Sequence, residues 1–297
     1  MSRIHYADCP VCNSRDIQPI LTAKDHTVSG ESFVIWHCSN CSLRFTQDVP
    51  DEDSIGPYYQ SQDYISHSNT SKGLINQLYQ KVRNHTLEQK ASLVISNTVP
   101  QGKMLDVGAG IGAFLNTMKT KGWEVVGVEP DEGARQQAKI LYNLSLKPAK
   151  DFSDLPPNSF HAITLWHVLE HVHALHDYVE QLKQLLMTDG KLFIAVPNYQ
   201  SKDAAHYRSH WAAYDVPRHL YHFSPASIEV LLKAHGLNLV EKKPMWFDSF
   251  YISLLSSKYK KGRTSWIVAG INGIRSNLAA VANNDRTSSL IYMASKA

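Results

Sequence analysis

The sequence predicts an α/β fold: a mostly parallel sheet flanked by helices, with a small cysteine-bound module before it and a helical hairpin inserted near its end. Three observations lead there. A strand–glycine turn–helix–strand pattern runs through "GKMLDVGAGIGAFLNTMKTKGWEVVGVEP". All four cysteines fall in the first 41 residues, as two C-x2-C pairs. A basic, aromatic-rich stretch of about 40 residues separates the last two predicted strands.

Composition sets the limits. The 297 residues are 43% hydrophobic and 19% charged, ordinary for a globular chain that buries a core. No run of about 18 uncharged apolar residues could span a bilayer, and no leader-like segment opens the chain, so a cytoplasmic location is expected. The net charge is +3. Nine Lys/Arg against three Asp/Glu in residues 241–297 put the excess in the tail. Such a tail can meet phosphate or an anionic surface, or simply be solvated. No basic stripe suggests nucleic acid as a partner.

From the N-terminus, Cys9 and Cys12 ("CPVC") and Cys38 and Cys41 ("CSNC") have the spacing of a zinc ribbon, with 25 residues between the pairs. Each C-x2-C turn points two thiolates at one ion, and two turns complete a tetrahedral S4 shell. Such an ion, Zn2+, would be structural. A disulfide framework or a CxxC redox pair is the alternative, and no surrounding pattern favours either. The module, 1–50, is expected to close a hairpin around "ESFVIWHC" and "LRFT". Residues 51–72 read as a linker or substrate-facing lid. Leu74, Leu78, Val82, Leu87, Leu93 and Val94 recur at helical intervals to about residue 98, where Pro100 and Gly102 stop the helix.

A strand (103–107), a turn (108–112), a helix (113–121), a strand (123–128) and a helix (131–141) follow. The turn Gly108-Ala109-Gly110-Ile111-Gly112-Ala113 also satisfies G-x-G-x-x-A, so a dinucleotide reading has to be weighed. Against it, Asp106 stands two residues before the first glycine, where a carboxylate would face a cation and repel a pyrophosphate. Glu129, 21 residues past Gly108, could accept both hydroxyl hydrogens of a ribose. Then come "FSDLPPNSFHAITLWHVLEHV" and "GKLFIAVPN", a fourth and a fifth strand with a helix (175–187) between them.

Together these blocks resemble the class I S-adenosylmethionine-dependent methyltransferases: "LDVGAGIGAFL" the first motif, "VVGVEP" the second, and the next two blocks the acidic loop with the fourth and fifth strands. The resemblance implies a Rossmann-like, seven-stranded, mostly parallel sheet with an antiparallel last strand near 288–295, in a domain spanning 99–297. It implies S-adenosyl-L-methionine as cofactor. Asp106, Gly108, Ala109, Gly110 and Gly112 would hold its amino-acid part, Glu129 its ribose, and Asp151 with Phe152 would sit at the adenine, with Pro130 and Trp166 among the cofactor-binding residues. Asp151 could equally be a solvated loop acid.

"TLWHVLEHVHALHDY" then carries His167, His171, His173 and His176 at the carboxyl end of the fourth strand, the edge where open α/β sheets bind ligands. "HVLEHV" resembles "EVLEHV" of the ubiquinone-type O-methyltransferases, whose Glu, Glu, His set is associated with a divalent metal. Here His167 replaces the first Glu. His171, His167 and Glu170 are the candidate catalytic residues. His171 is placed to take a proton from an acceptor, to touch the donor structurally, or to ligate a metal. His173 and His176 are expected to face solvent.

"HYRSHWAAYDVPRHLYHFSPASIEVLL" supplies candidate acceptor contacts in Trp211, Tyr214, Arg218, His219, Tyr221 and His222, although a buried aromatic and Arg–Asp network would look the same. Ser224 and Pro225 open a helix that Gly236 ends. After a strand at 237–243, the inserted segment 244–285 reads as two amphipathic helices, 247–259 and 264–282. They fit a membrane surface, a sheet face or an oligomer contact. A zinc module before such a core also resembles the sugar C-methyltransferases, which implies a nucleotide-sugar or glycan acceptor in polysaccharide biosynthesis. A phenolic, quinone or polyketide hydroxyl, and a non-catalytic donor-binding adaptor, are the alternatives.

Overall fold

A computed structural model describes residues 2–60, 74–263, 270–271, 273, 276–278 and 283–297. The cysteine-bearing end contributes β1 (Arg3–Ile4), β2 (Ile17–Lys24), β3 (Ser32–Cys38), β4 (Arg44–Thr46) and β5 (Val49–Pro50). The long helix α1 (Leu74–Ser96) leads into β6 (Lys103–Val107), α2 (Ala113–Thr120), β7 (Glu124–Val128) and α3 (Glu132–Tyr142). Next come β8 (Phe160–Trp166), α4 (Leu175–Leu185), β9 (Leu186–Pro197), α5 (Lys202–Tyr207) and β10 (Tyr221–His222). The chain finishes with α6 (Pro225–Ala234), β11 (Leu237–Pro244), α7 (Asp248–Lys261) and β12 (Ser289–Lys296).

The main sheet has the order β11-β12-β9-β8-β6-β7, with β6, β7, β8 and β9 parallel and β12 antiparallel to both neighbours. Its middle strands are buried along nearly their whole length because helices cover both faces, as a parallel sheet requires, and Asp106 and Thr164 are the buried polar exceptions inside them. Six strands are described where seven were expected. The missing edge strand is reduced to one parallel bridge between Val128 and Lys147. "LSLKP" is too short, and too near Pro148, to extend that pairing.

Helix starts follow the local chemistry. Asp131 accepts from the Ala134 amide at 2.7 Å to cap α3, and Ser224 with Ser227 forms a capping box for α6 with Pro225 at its first position. The segment expected to form two amphipathic helices behaves differently from its pattern. The first, α7, turns Ser249, Ser253, Ser256 and Ser257 inward and leaves Phe247, Phe250 and Tyr251 partly exposed. Small side chains let its backbone approach the α5–β10 region, where Ser256 Oγ accepts from the Ala212 amide at 2.8 Å. Of the second, 264–282, only Gly270, Ile271, Gly273 and 276–278 are described, and these are helical. No helix among the described residues is long and apolar enough to cross a membrane.

The cysteine module is continuous with the larger unit. Strand β10, from the far end of the chain, adds to β4 through Tyr221–Phe45 and His222–Arg44 pairs, giving a sheet ordered β10-β4-β3-β2. Arg218 reaches into the module to Asp25 at 3.0 Å, and Tyr199 Oη donates to the Ser42 carbonyl at 2.6 Å.

Candidate active site

Asp106 and Thr164 are direct neighbours in the parallel register of β6 and β8, and Thr164 Oγ1 donates to Asp106 Oδ1 at 2.6 Å. Asp106 is 2% exposed. Burial pushes its carboxyl up to about 7, against the opposing pull of Thr164 and of Lys90 on α1. Lys90 itself lies over the Trp166 ring at 4.2 Å.

The chain then turns through Gly108, Gly110 and Gly112, all at positive φ (69°, 54° and 78°). A Cβ on Gly108 would also fall 2.5 Å from Val168. At Gly110 a Cβ would meet nothing within 4 Å, so the backbone there borders open space. Its amide donates to Glu129 Oε2 at 2.7 Å, and the Asp131 amide donates to Oε1 at 3.0 Å. Two backbone donors thus orient a nearly buried carboxylate beside the turn, leaving each oxygen a lone pair for a ligand hydroxyl. A buried acid awaiting a cation, an oriented acid and a bare backbone suit the amine, ribose and methionine chain of S-adenosylmethionine. Of the remaining donor candidates, Pro130 follows Glu129, and Phe152 stacks on Tyr178 at 4.7 Å. Asp151 sits part-buried in the same short turn, and Trp166 Nε1 is buried without a hydrogen-bond partner.

Past β8 the histidines separate by role. His167, at φ 61°, is held between Asp248 (Nε2 to Oδ2, 2.9 Å) and Glu170 (Nδ1 to Oε1, 3.4 Å). Burial alone would depress its pKa, but the two carboxylates override that and raise it to about 10. It is an imidazolium at neutral pH and offers no lone pair to a proton or metal.

His171 is the opposite case. Burial, with the nearby His219, lowers it to about 4, so it stays neutral. Its Nδ1 lies 3.0 Å from the Arg218 carbonyl and 3.1 Å from Tyr59 Oη. A carbonyl only accepts, so Nδ1 carries the hydrogen and Nε2 keeps the lone pair. His219 repeats the pattern, with Nδ1 on the Ala213 carbonyl at 2.9 Å and its ring 4.6 Å from that of His171. Between them Glu170 is fully buried, and neither of its oxygens has a hydrogen-bond partner. Glu170, His171 and His219 present three ligand atoms within 4.8 Å of one another. Imidazoles pinned through one nitrogen to carbonyls, beside a buried carboxylate that accepts no hydrogen bond and ion-pairs with His167, form a donor set that suits a divalent cation. His173 and His176, expected in solvent, are part-buried instead, bonded to the Pro50 carbonyl at 3.1 Å and to His235 at 2.8 Å.

Most of the expected acceptor contacts are engaged elsewhere. Arg218, 1% exposed, pairs with Asp25 and Asp215 and donates to the Tyr58 carbonyl at 2.7 Å. Trp211 Nε1 donates to Asp203 at 2.8 Å, Tyr221 Oη to the His173 carbonyl at 3.1 Å, and His222 Nε2 contacts Thr46 Oγ1 at 3.0 Å. Arg218 and His222 knit the cysteine module to the rest of the chain, and the hydrogen bonds of Trp211 and Tyr221 are spent within the larger unit. Tyr214 accepts from Arg44 at 2.9 Å. Asp248, Tyr59, Lys90 and Asp25 were not anticipated. Each lies far along the chain from its partner, in a stretch without a motif.

The four cysteines converge as well. Sγ–Sγ separations are 3.5 Å for Cys9–Cys41 and 3.6 Å for Cys12–Cys38, and all four atoms lie within 4.8 Å of one another. These are too long for disulfides and close to the ~3.8 Å edge of a tetrahedron built on Zn–S bonds of about 2.3 Å.

A parallel sheet with this strand order, an acid before a glycine turn at its carboxyl edge, and a second acid closing that turn define a class I S-adenosylmethionine-dependent methyltransferase. The chain belongs to the methyltransferase-domain family, whose model matches residues 79–242. Similar proteins include an uncharacterized methyltransferase of Staphylococcus carnosus, 27% identical over 149 residues (47% of this chain, 72% of that one). A demethylmenaquinone methyltransferase of Tropheryma whipplei is 24% identical over 170 residues (55% and 68%). A ubiquinone biosynthesis O-methyltransferase of Thiobacillus denitrificans is 30% identical over 107 residues, covering 34% of this chain and 46% of that one. Among solved structures, magnesium protoporphyrin IX methyltransferase from Synechocystis superposes with a TM-score of 0.54 at 13% identity, covering 83% of this chain and all of that one, a likeness of fold.

Proposed function

We propose that this enzyme methylates a polar small molecule, a nucleotide-linked sugar or glycan precursor, with His171 as general base. The carrying observation is the tautomer of His171: the Arg218 carbonyl holds the hydrogen on Nδ1, so Nε2 is a ready acceptor. The sulfonium of the donor is already a strong electrophile. Alignment of the acceptor and removal of its proton are the protein's contribution. Asp106 and Glu129 hold the donor, and Glu170 steadies the positive charge that grows on His171 as it takes the proton. The cysteine module supports the sugar reading because its sheet is completed by β10, which makes it part of the wall beside His171 rather than an appendage. Cys9, Cys12, Cys38 and Cys41 hold a structural zinc there.

A second reading has its own observation. Glu170, fully buried, accepting no hydrogen bond and facing the His167 imidazolium at 3.4 Å, would with His171 and His219 hold a divalent cation. When bound, such an ion would lower the pKa of an acceptor hydroxyl, as suits a phenolic or quinone acceptor.

The test supplies methyl-labelled S-adenosylmethionine to the purified protein with fractionated cell extract, using Asp106→Asn as the blank. Label in the water-soluble nucleotide-sugar pool supports the sugar reading. Label confined to the organic-extractable pool rejects it for the phenolic or quinone reading.

A further inference from the structure

A groove of about 910 Å³ runs along the seam between the cysteine module and the main sheet, away from the donor turn. One wall comes from β2, β3 and β4, the other from the chain after β9, from α5 and from Arg286 ahead of β12. Its charge is one-sided. Arg44, Arg208 and Arg286 line it together with His37, and among the described lining residues there is no carboxylate. Nor, among the described residues, does any of the three arginines form an ion pair.

Arg44 shows that the site is built rather than a chance gathering of surface charge. Its guanidinium lies 4.0 Å over the Tyr199 ring and its Nη1 donates to Tyr214 Oη, which fixes the plane of the fork. Its Nε is nevertheless buried with no hydrogen-bond partner, and so is His37 Nδ1 on the neighbouring strand. A buried cationic donor without a protein partner is costly, and an anion in the groove would satisfy it. Arg208 is held at φ 51° and ψ −127°, a positive-φ backbone that non-glycine residues rarely adopt and that recurs at ligand sites. Arginine forks match phosphoryl oxygens two at a time.

We propose that this groove binds the diphosphate of a small molecule, and that this molecule is the methyl acceptor. The second half rests on the methyltransferase reading; the first does not. The volume suits a nucleoside diphosphate or a prenyl diphosphate, with Ile20 and Leu21 offering apolar surface beside the arginines. A chain of side-chain contacts joins the groove wall to the proposed base. Arg44 touches Tyr214, whose ring packs on His222 at 5.0 Å; His222 meets Thr46, Thr46 Oγ1 donates to the His219 carbonyl at 2.8 Å, and His219 packs on His171.

Calorimetric titration of the full chain with inorganic pyrophosphate, UDP and farnesyl diphosphate tests this, with S-adenosylhomocysteine titrated in parallel. The variant is Arg208→Gln/Arg286→Gln, two exposed positions whose change leaves the fold intact, with Arg44→Gln as a second. The expected result is binding of pyrophosphate-bearing probes, weakened about tenfold or more in the double variant while S-adenosylhomocysteine affinity is unchanged. Tighter binding of UDP than of the prenyl compound identifies a nucleotide-linked ligand, and the reverse a lipid-linked one. A protein that binds S-adenosylhomocysteine but none of the diphosphates, or a double variant that binds them as tightly as the parent, overturns the proposal. Diphosphate binding without S-adenosylhomocysteine binding leaves the groove standing and removes the acceptor assignment.

Discussion

His167 donates to Asp248 at 2.9 Å while its other nitrogen faces Glu170 at 3.4 Å, so one imidazolium ties the segment after β8 to the first turn of α7. The two carboxylates hold in place a residue whose backbone is itself in the left-handed region. Asp248→Asn should remove the stronger partner and destabilise the protein by about 2 kcal/mol, less than a fully buried pair because both groups keep some solvent. The sign with pH is set by the raised pKa of His167, from an ordinary 6.5 to about 10. Its contribution is fully present below about 6.5 and disappears as pH rises through 10. The gap in Tm between parent and variant should therefore be widest near pH 6 and close towards pH 10. A gap independent of pH would mean that His167 is neutral.

Asp106 carries the opposite relation. Its carboxyl is raised from 3.8 to about 7, so without a ligand its charge is a burden whose cost is absent below pH 4 and complete above pH 7. Asp106→Asn should raise the stability of the ligand-free protein by roughly 2 kcal/mol at pH 8, while weakening S-adenosylmethionine binding at least tenfold. In the parent, donor affinity should fall as pH drops below 7 and Asp106 takes up a proton. Thermal melts and donor titrations at pH 5.5 and 8 check both.

For His171 the low pKa predicts the rate profile. A base with pKa about 4 is already deprotonated, so kcat should stay flat from pH 6 to 9 and fall only towards pH 4. His171→Gln should lower kcat by roughly 10²–10³ with donor affinity unchanged. A parent enzyme that loses its activity to a chelator and regains it with Mg2+ or Mn2+ would favour the metal reading, in which His219→Gln is as damaging as His171→Gln.

The cysteine cluster should yield one zinc per chain by elemental analysis. Cys41→Ser should lose that metal and lower Tm by several degrees. The effect should also reach the site, because β4 is paired with β10 just after His219. An unchanged Tm in a zinc-free variant would show that the four thiols need no ion.

The parts legible in the sequence are those whose cause is local. Strand β6 followed by Gly108, Gly110 and Gly112 could be read because a turn at positive φ at the end of an apolar run leaves a visible pattern. The C-x2-C pairs show themselves through spacing, and α6 through Ser224 and Pro225. The missing seventh strand was not visible, since the resemblance implied seven and only the short, proline-bounded segment around Lys147 decided otherwise. Nor was the serine-lined burial of α7, because its aromatics suggested the opposite face.

The site divides along the same line. The sequence by itself determined the class of fold, the glycine turn with Asp106 before it and Glu129 after it, and the spacing of the four cysteines. Each depends on neighbours a few residues apart or on one strand repeated beside another. Only the tertiary structure decided what each histidine is. His167 and His171 are four positions apart with the same ring, yet one is raised to about 10 and the other lowered to about 4. Asp248, 81 residues away from His167, and the carbonyl of Arg218, 47 from His171, make the difference. Protonation follows the field and the hydrogen bonds at a point in space. Those come from chain segments that only folding brings together.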